Sequence, residues 1–388
     1  MQLLEKNKIC FVLPWFGENI VGGAEKEARQ LIKYLSKYFE IEILSTTVKD
    51  FFSDWNLNYY KEGIYRELGV LVRRFDVDKV DRTEFHNVNR LLMQGKNPNA
   101  YDEKVYLEGI INSKNLLNFI KLNKDNYKYF FFMPYMFGTT INGVLNVLDK
   151  SVLIPCLHDE SYAKMTIFND VFHKAFRVFF HMNSEKNLAE KLYGTSPSYR
   201  VVGEGVNFNF SGDSKKFYEK FKIKNFYLFI GRKDEGKNIS LLLKWFRLYK
   251  KKNPSDLKLV LIGPLKIEGD EDIIDLGFLP ENEKYDAISA SLGLINLSLY
   301  ESFSLVVLES AFLKKVVIVL SNCETTKEHC LNGNMGLYVK DYYEFSSSLK
   351  YLEKNPDIAK KLGENGYNYA VTNFSFEIVI NKILENLL

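Results

Sequence analysis

The stretch GLINLSLYESFSLVVLESAFLKKVVIVL, residues 293–320, holds a strand, a turn, a helix and a second strand. Leu292 to Ser298 is an apolar run of strand length, suited to burial on both faces of a sheet. A short polar turn leads into helical periodicity from Ser304 to Leu313, and Val316 to Leu320 is a second buried strand. Two apolar runs joined by a helix pair in parallel, because the crossover returns the chain to the same edge of the sheet. Carboxylates at Glu301 and Glu309 flank the start of that helix.

The same alternation extends outward and runs through the chain twice, so the expected class is α/β with two doubly wound halves. In the second half, Phe226 to Ile230 and Leu257 to Ile262 are further strands, and Ser240 to Tyr249 is a helix. In the first half, Lys8 to Pro14, Ile41 to Ser45, Tyr129 to Met133, Val152 to Leu157, Arg177 to His181 and Tyr199 to Val202 read as strands. Ala24 to Lys37 reads as an amphipathic helix with Ala28, Leu31, Ile32 and Leu35 on one face. Residues 46–128 interrupt this pattern with aromatics and charges, and are expected to carry local elements decorating the first domain. Gly, Asn, Ser and charge replace the apolar pattern over GEGVNFNFSGDSKK, residues 203–216, which places the linker there.

The chain has 388 residues, 46% hydrophobic and 26% charged, and a net charge of +3. That composition excludes a disordered protein and a disulfide mini-protein, and offers no general surface for tracking nucleic-acid phosphates. The four cysteines, Cys10, Cys156, Cys323 and Cys330, form no C-x-x-C pair, which fits a reducing cytosol. Cys323, His329 and Cys330 lie close in sequence but lack a second ligand pair, so no zinc site is expected from them. No run of 18 or more apolar residues occurs, so no membrane span is expected. The basic face Lys26, Arg29, Lys33 and Lys37 on the first helix can touch anionic lipid, but the preferred reading is a core-facing helix with a solvated face.

In an open parallel sheet, ligands bind beyond the carboxyl ends of the strands. Glu301 follows such an end, and the free N–H groups of Ser304 and Leu305 at the helix start suit a phosphate. Glu309, one or two turns in, is placed to accept from a polyol such as a ribose. After the strand YLFIGR, Arg232 and Lys237 precede a helix that Asn238 is placed to cap. Two cations there can grip a diphosphate and stabilise the charge it gains on leaving. Gly22 and Gly23, between the first strand and first helix, let backbone approach a ligand closely, although the dinucleotide fingerprint is absent. His158, in VLIPCLHDESY, is placed to donate to a sugar hydroxyl or a developing charge. The remaining histidines, His86, His173, His181 and His329, have no comparable company in sequence.

In this order, GGAE, LHDE, GEGVN, GRKDEGKN and SLYESFSLVVLES resemble the retaining, nucleotide-sugar-dependent glycosyltransferases of family 4, over nearly the whole chain. The strongest part is E-x7-E, here Glu301 to Glu309. The resemblance implies the GT-B fold: two Rossmann-like domains facing a cleft, residues 1–203 on the acceptor side and 204–373 on the nucleotide-sugar side, with the C-terminal helix, 374–388, crossing back. It implies transfer of a sugar from a nucleoside diphosphate donor to a glycan or lipid-linked acceptor, in cell-surface polysaccharide or glycolipid biosynthesis, by a cytoplasmic enzyme with possible peripheral contact at the inner face of the membrane. Under it, Gly22 and Gly23 lie in the donor-phosphate loop and His158 lies near the transferred sugar. Arg232 and Lys237 hold the diphosphate, Glu301 contacts sugar hydroxyls, Glu309 binds the ribose, and Ser304 and Leu305 add N–H contacts. No cofactor, metal or nucleic-acid partner is expected. Two departures stand out: Gly205-Val206-Asn207 replaces Gly-Val-Asp, and Ser304 stands where the family commonly has glycine. A GT-B sugar-nucleotide epimerase and a noncatalytic glycan- or nucleotide-binding protein are the alternatives. E-x7-E with the Arg/Lys pair argues against the first, and turnover of donor with acceptor separates the second.

Overall fold

The computed structural model describes residues 7–18, 20 and 22–387. The chain divides into two α/β units, one formed by residues up to Gly205 together with those from Ile380 on, the other by Val206–Val379.

The first unit is built on an eight-stranded sheet: β1 (Lys8–Leu13), β2 (Glu40–Thr46), β3 (Gly63–Glu67), β4 (Val70–Phe75), β5 (Tyr129–Phe132), β6 (Ser151–Leu153), β7 (Arg177–Phe180) and β8 (Tyr199–Val201). Their order across the sheet is β3-β4-β2-β1-β5-β6-β7-β8. Only the edge strand β3 is antiparallel. Burial on both faces explains the unbroken apolar runs: all of YFFF in β5 is buried, and Phe11 stacks on Phe131 across the β1/β5 pair at 4.9 Å. Cys10, Val12, Phe130 and Phe132 enter the main hydrophobic cluster of this unit. Each buried phenyl ring contributes about 1.5–3 kcal/mol.

Residues 46–128 do more than decorate this unit. They supply β3, β4 and the helices Thr83–Met93, Ala100–Gly109 and Lys114–Asn123, and β4 pairs in parallel with β2 from Glu42↔Leu71 to Thr46↔Phe75. The charges of VLVRRF conceal this strand. Arg74 is only 2% exposed, with a two-pronged bond to Glu67 at 2.6 and 2.9 Å and a third to the Phe16 carbonyl. Arg73 reaches Glu42 at 3.0 Å.

The second unit has six parallel strands: β9 (Phe226–Ile230), β10 (Lys258–Ile262), β11 (Ile273–Asp275), β12 (Gly293–Asn296), β13 (Val316–Leu320) and β14 (Gly336–Val339), in the order β11-β10-β9-β12-β13-β14. The short edge strands β11 and β14 carry too few residues for a clear apolar run. Two expected strands are shorter than read: 152–157 ends as strand at Leu153, and 292–298 contracts to Gly293–Asn296. In both cases the apolar residues continue beyond the last ladder bond as buried loop. The last helix, Phe376–Leu387, returns residues from Ile380 on to the first unit. There the Tyr129 hydroxyl donates to the Leu387 carbonyl and Arg177 to that of Asn386. Among the described residues, no helix is long and apolar enough to cross a membrane.

Candidate functional site

In the second unit, the carboxyl ends of β9 and β12 bring together residues far apart in sequence. Lys237 Nζ donates to Glu301 Oε1 at 2.7 Å, and Asn296 Nδ2, the last residue of β12, lies 3.4 Å from the same oxygen. The Glu301 side chain is 10% exposed and that of Lys237 24%. Burial alone raises the Glu301 carboxyl, but the adjacent ammonium outweighs it and holds the group below the usual carboxylate range, hence ionised. Arg232 is more open, 56% exposed, with Nε 3.1 Å from Asp234. Between them in sequence, Lys233 is buried against Asp275 at 3.0 Å, so this cation ties the end of β9 to β11 and leaves the other two for a ligand. Gly263 lets the ends of β9 and β10 abut: at its φ of +137° an added Cβ would stand 2.0 Å from the Gly231 carbonyl.

The helix Leu305–Phe312 is nearly all apolar and packs against the helix Pro356–Phe374. Glu309 is therefore 5% exposed instead of solvated. A lone carboxylate there costs several kcal/mol, and Lys284 offsets that by donating to both oxygens at 2.8 Å, with the Tyr285 hydroxyl at 3.5 Å. Ser304 precedes this helix in the left-handed region, φ 74°, the conformation that glycine adopts without strain. It makes no side-chain cap, and its Oγ accepts from Asn296 Nδ2 at 3.2 Å. Asn238 before Ile239–Lys252 is likewise left-handed, φ 54°, without the side-chain cap expected of it.

His329, without company in sequence, supports this turn. Its Nε2 donates to the Phe303 carbonyl at 2.7 Å, so Nδ1 accepts from the Tyr369 hydroxyl at 3.1 Å. Burial lowers its pKa to about 4 and keeps it neutral. Cys323 and Cys330 are buried thiols, and with His329 they do not form a ligand group among the described residues. Two Asp-x-Asp sequences occur, and both serve the fold. Asp78 accepts from Asn112 and the Lys114 N–H, while Asp270 and Asp272 pair with Arg247, Lys250 and Lys258.

In the first unit, Gly22 immediately precedes the helix Gly23–Leu35 that follows β1, and Gly23 opens that helix. A Cβ on Gly22 would meet the Glu25 carboxylate, which folds back to accept from Trp15 Nε1 at 2.6 Å, whereas one on Gly23 would meet nothing within 4 Å. His158 does not cap a strand. It lies five residues past the end of β6, half-buried, with Nδ1 3.8 Å from Glu160, which in turn accepts from the Tyr135 hydroxyl. The group that sequence reasoning overlooked is His181, whose Nε2 is 2.8 Å from Glu27 and whose Nδ1 is 3.5 Å from Glu185. The signal was present: Glu27 stands four residues before Leu31 and eight before Leu35, inside the apolar stripe of its helix.

Residues 211–369, within the second unit, match the family model of the Glycosyl transferases group 1. Over 238 residues the chain is 26% identical to the N-acetylgalactosamine-N,N'-diacetylbacillosaminyl-diphospho-undecaprenol 4-alpha-N-acetylgalactosaminyltransferase of Campylobacter jejuni. That match spans 57% of this chain and 62% of that enzyme. Among solved structures, the sucrose-phosphate synthase of Thermosynechococcus elongatus aligns with a TM-score of 0.73 at 13% identity, over 98% of both chains. Anabaena HepE in complex with UDP and glucose aligns with a TM-score of 0.70 at 13% identity, over 98% of this chain and 99% of that one. These likenesses show the fold, which is GT-B.

Proposed function

We propose that this chain is a retaining glycosyltransferase that moves a sugar from a nucleoside diphosphate donor to a hydroxyl of a glycan or lipid-linked acceptor at the cytoplasmic face of a membrane, in cell-surface polysaccharide or glycolipid synthesis. The observation that carries the reading is the Lys237–Glu301 pair beyond the ends of two parallel strands, in the segment that matches the group 1 transferases. The Campylobacter relative, whose name places its acceptor on diphospho-undecaprenol, supports the lipid-linked class.

In this reading Lys237 and Arg232 meet the diphosphate, Lys237 as a point charge and Arg232 as a planar fork. Their charge acts most strongly as the leaving group gains negative charge. The ionised Glu301 accepts from the sugar hydroxyls and stabilises positive charge developing at the anomeric carbon. Glu309, held by Lys284 and Tyr285, is the acceptor for a ribose hydroxyl. Ser304 and Leu305 contribute N–H groups to phosphate, Gly23 leaves room for a close ligand, and His158 donates to a sugar hydroxyl. No side chain is assigned as general base, because in a front-face retaining reaction the departing phosphate oxygen takes the acceptor proton.

Thermal shift with a panel of UDP-, GDP- and dTDP-sugars tests the reading. The cognate donor at 100 times its dissociation constant stabilises the fold by about 2.7 kcal/mol. A folded protein that no sugar nucleotide stabilises would overturn it.

A further inference from the structure

Three side chains of different elements converge inside the first unit. Glu27 comes from the helix Gly23–Leu35, Cys156 from the loop after β6, and His181 from the residue following β7. Glu27 turns one oxygen to His181 Nε2 at 2.8 Å and the other toward Cys156 Sγ at 3.9 Å, and one ligating atom from each residue falls within 4.8 Å of the others. His181 and Glu27 are 1% and 6% exposed. Cys156 reaches in from a left-handed backbone, φ 52°, a conformation that a β-carbon disfavours.

Behind these three stands Glu185, 2% exposed. It accepts from the Leu157 N–H at 2.7 Å and the His181 N–H at 2.6 Å, and so ties together the two loops that carry the thiol and the imidazole. The same carboxylate faces His181 Nδ1, which leaves Nε2 toward Glu27 and Cys156. A carboxylate on one imidazole nitrogen orients the other for a metal and raises its basicity.

We propose that Glu27, Cys156 and His181 form a structural site for a thiophilic divalent cation, Zn2+, with Glu185 as the positioning carboxylate. One sulfur, one imidazole nitrogen and one carboxylate oxygen are the donors such an ion prefers, a water completes the fourth position, and ligand distances of about 2.0–2.3 Å require the group to rearrange around the ion, with His181 Nε2 and the Glu27 oxygen opening from 2.8 Å. Binding displaces the thiol proton and the proton shared by His181 and Glu27, and both leave to water. The ion fastens the first helix to the ends of β6 and β7. The test reads metal content, stability and spectra, and no turnover.

The full-length protein is purified without chelator, its metal is counted, and the metal-free protein is titrated with Zn2+ against a chromophoric chelator and with Co2+. The expected result is one zinc per chain, a melting midpoint raised by zinc, and a cobalt spectrum with a thiolate charge-transfer band that Cys156→Ser abolishes. Glu185→Gln retains all three ligands and lowers zinc affinity about 10–100-fold. A protein without zinc whose midpoint ignores it, a cobalt spectrum that Cys156→Ser leaves unchanged, or equal affinity in wild type and both variants would overturn the proposal.

Discussion

Lys237 and Glu301 satisfy one another, and in the proposed reaction each matters for a different step. Lys237→Ala and Arg232→Ala are each expected to lower kcat/KM by roughly two to four orders of magnitude, since the lost charge faces the leaving diphosphate. Arg232 is mostly exposed and its loss leaves stability unchanged; steady-state kinetics beside a denaturant melt separate the two effects. Glu301→Gln is expected to lower kcat more than it raises donor KM, because its charge acts in the transition state. In the proposed reading Glu309 contacts the ribose in the ground and transition states alike. Glu309→Gln is therefore expected to weaken sugar nucleotide and free nucleoside diphosphate by similar factors in calorimetry, and loss confined to the sugar nucleotide would exchange the two roles. The sequence placed both glutamates on a strand-turn-helix, but not their partners, because Lys237 and Lys284 reach them across the fold.

At the scale of elements, the turn between β12 and its helix depends on His329, which holds the Phe303 carbonyl from a different helix. Its folded pKa of about 4 lies below the 6.5 of the unfolded chain. Between these values the unfolded state binds more protons, so the folded state loses stability as pH falls from 6.5 to 4. The full difference, 2.5 units, corresponds to about 3 kcal/mol. Denaturant melts across that window should show the slope in wild type and its absence in His329→Gln; equal slopes would remove His329 from this role. The helix itself was read within one residue at each end. Residues 46–128 resisted reading because ion pairs and cation–π contacts satisfy the arginines of β4, which no local pattern reveals.

At the scale of the molecule, the proposed reaction retains configuration, and proton NMR of the first-formed product is expected to show an α linkage from an α donor; a β linkage defeats the mechanism. Neither Mg2+ nor Mn2+ is expected to raise turnover if, as proposed, Arg232, Lys237 and a helix N-terminus meet the diphosphate. Dependence restored by either ion would contradict this and leave the buried zinc group untouched. By itself the sequence determined the α/β class, the parallel strands of the sheet centres and the turns that carry Glu301, Lys237 and Gly22. Hydrophobic periodicity and strand-turn-helix order are local, and a two-faced parallel sheet needs no more than they specify. Only the tertiary structure decided that Glu309 is buried, that Ser304 is left-handed, that Lys233 is structural, and that Glu27, Cys156 and His181 meet. Those depend on which charge lies nearest once distant strand ends converge, and electrostatic pairing across a fold leaves no period in the chain.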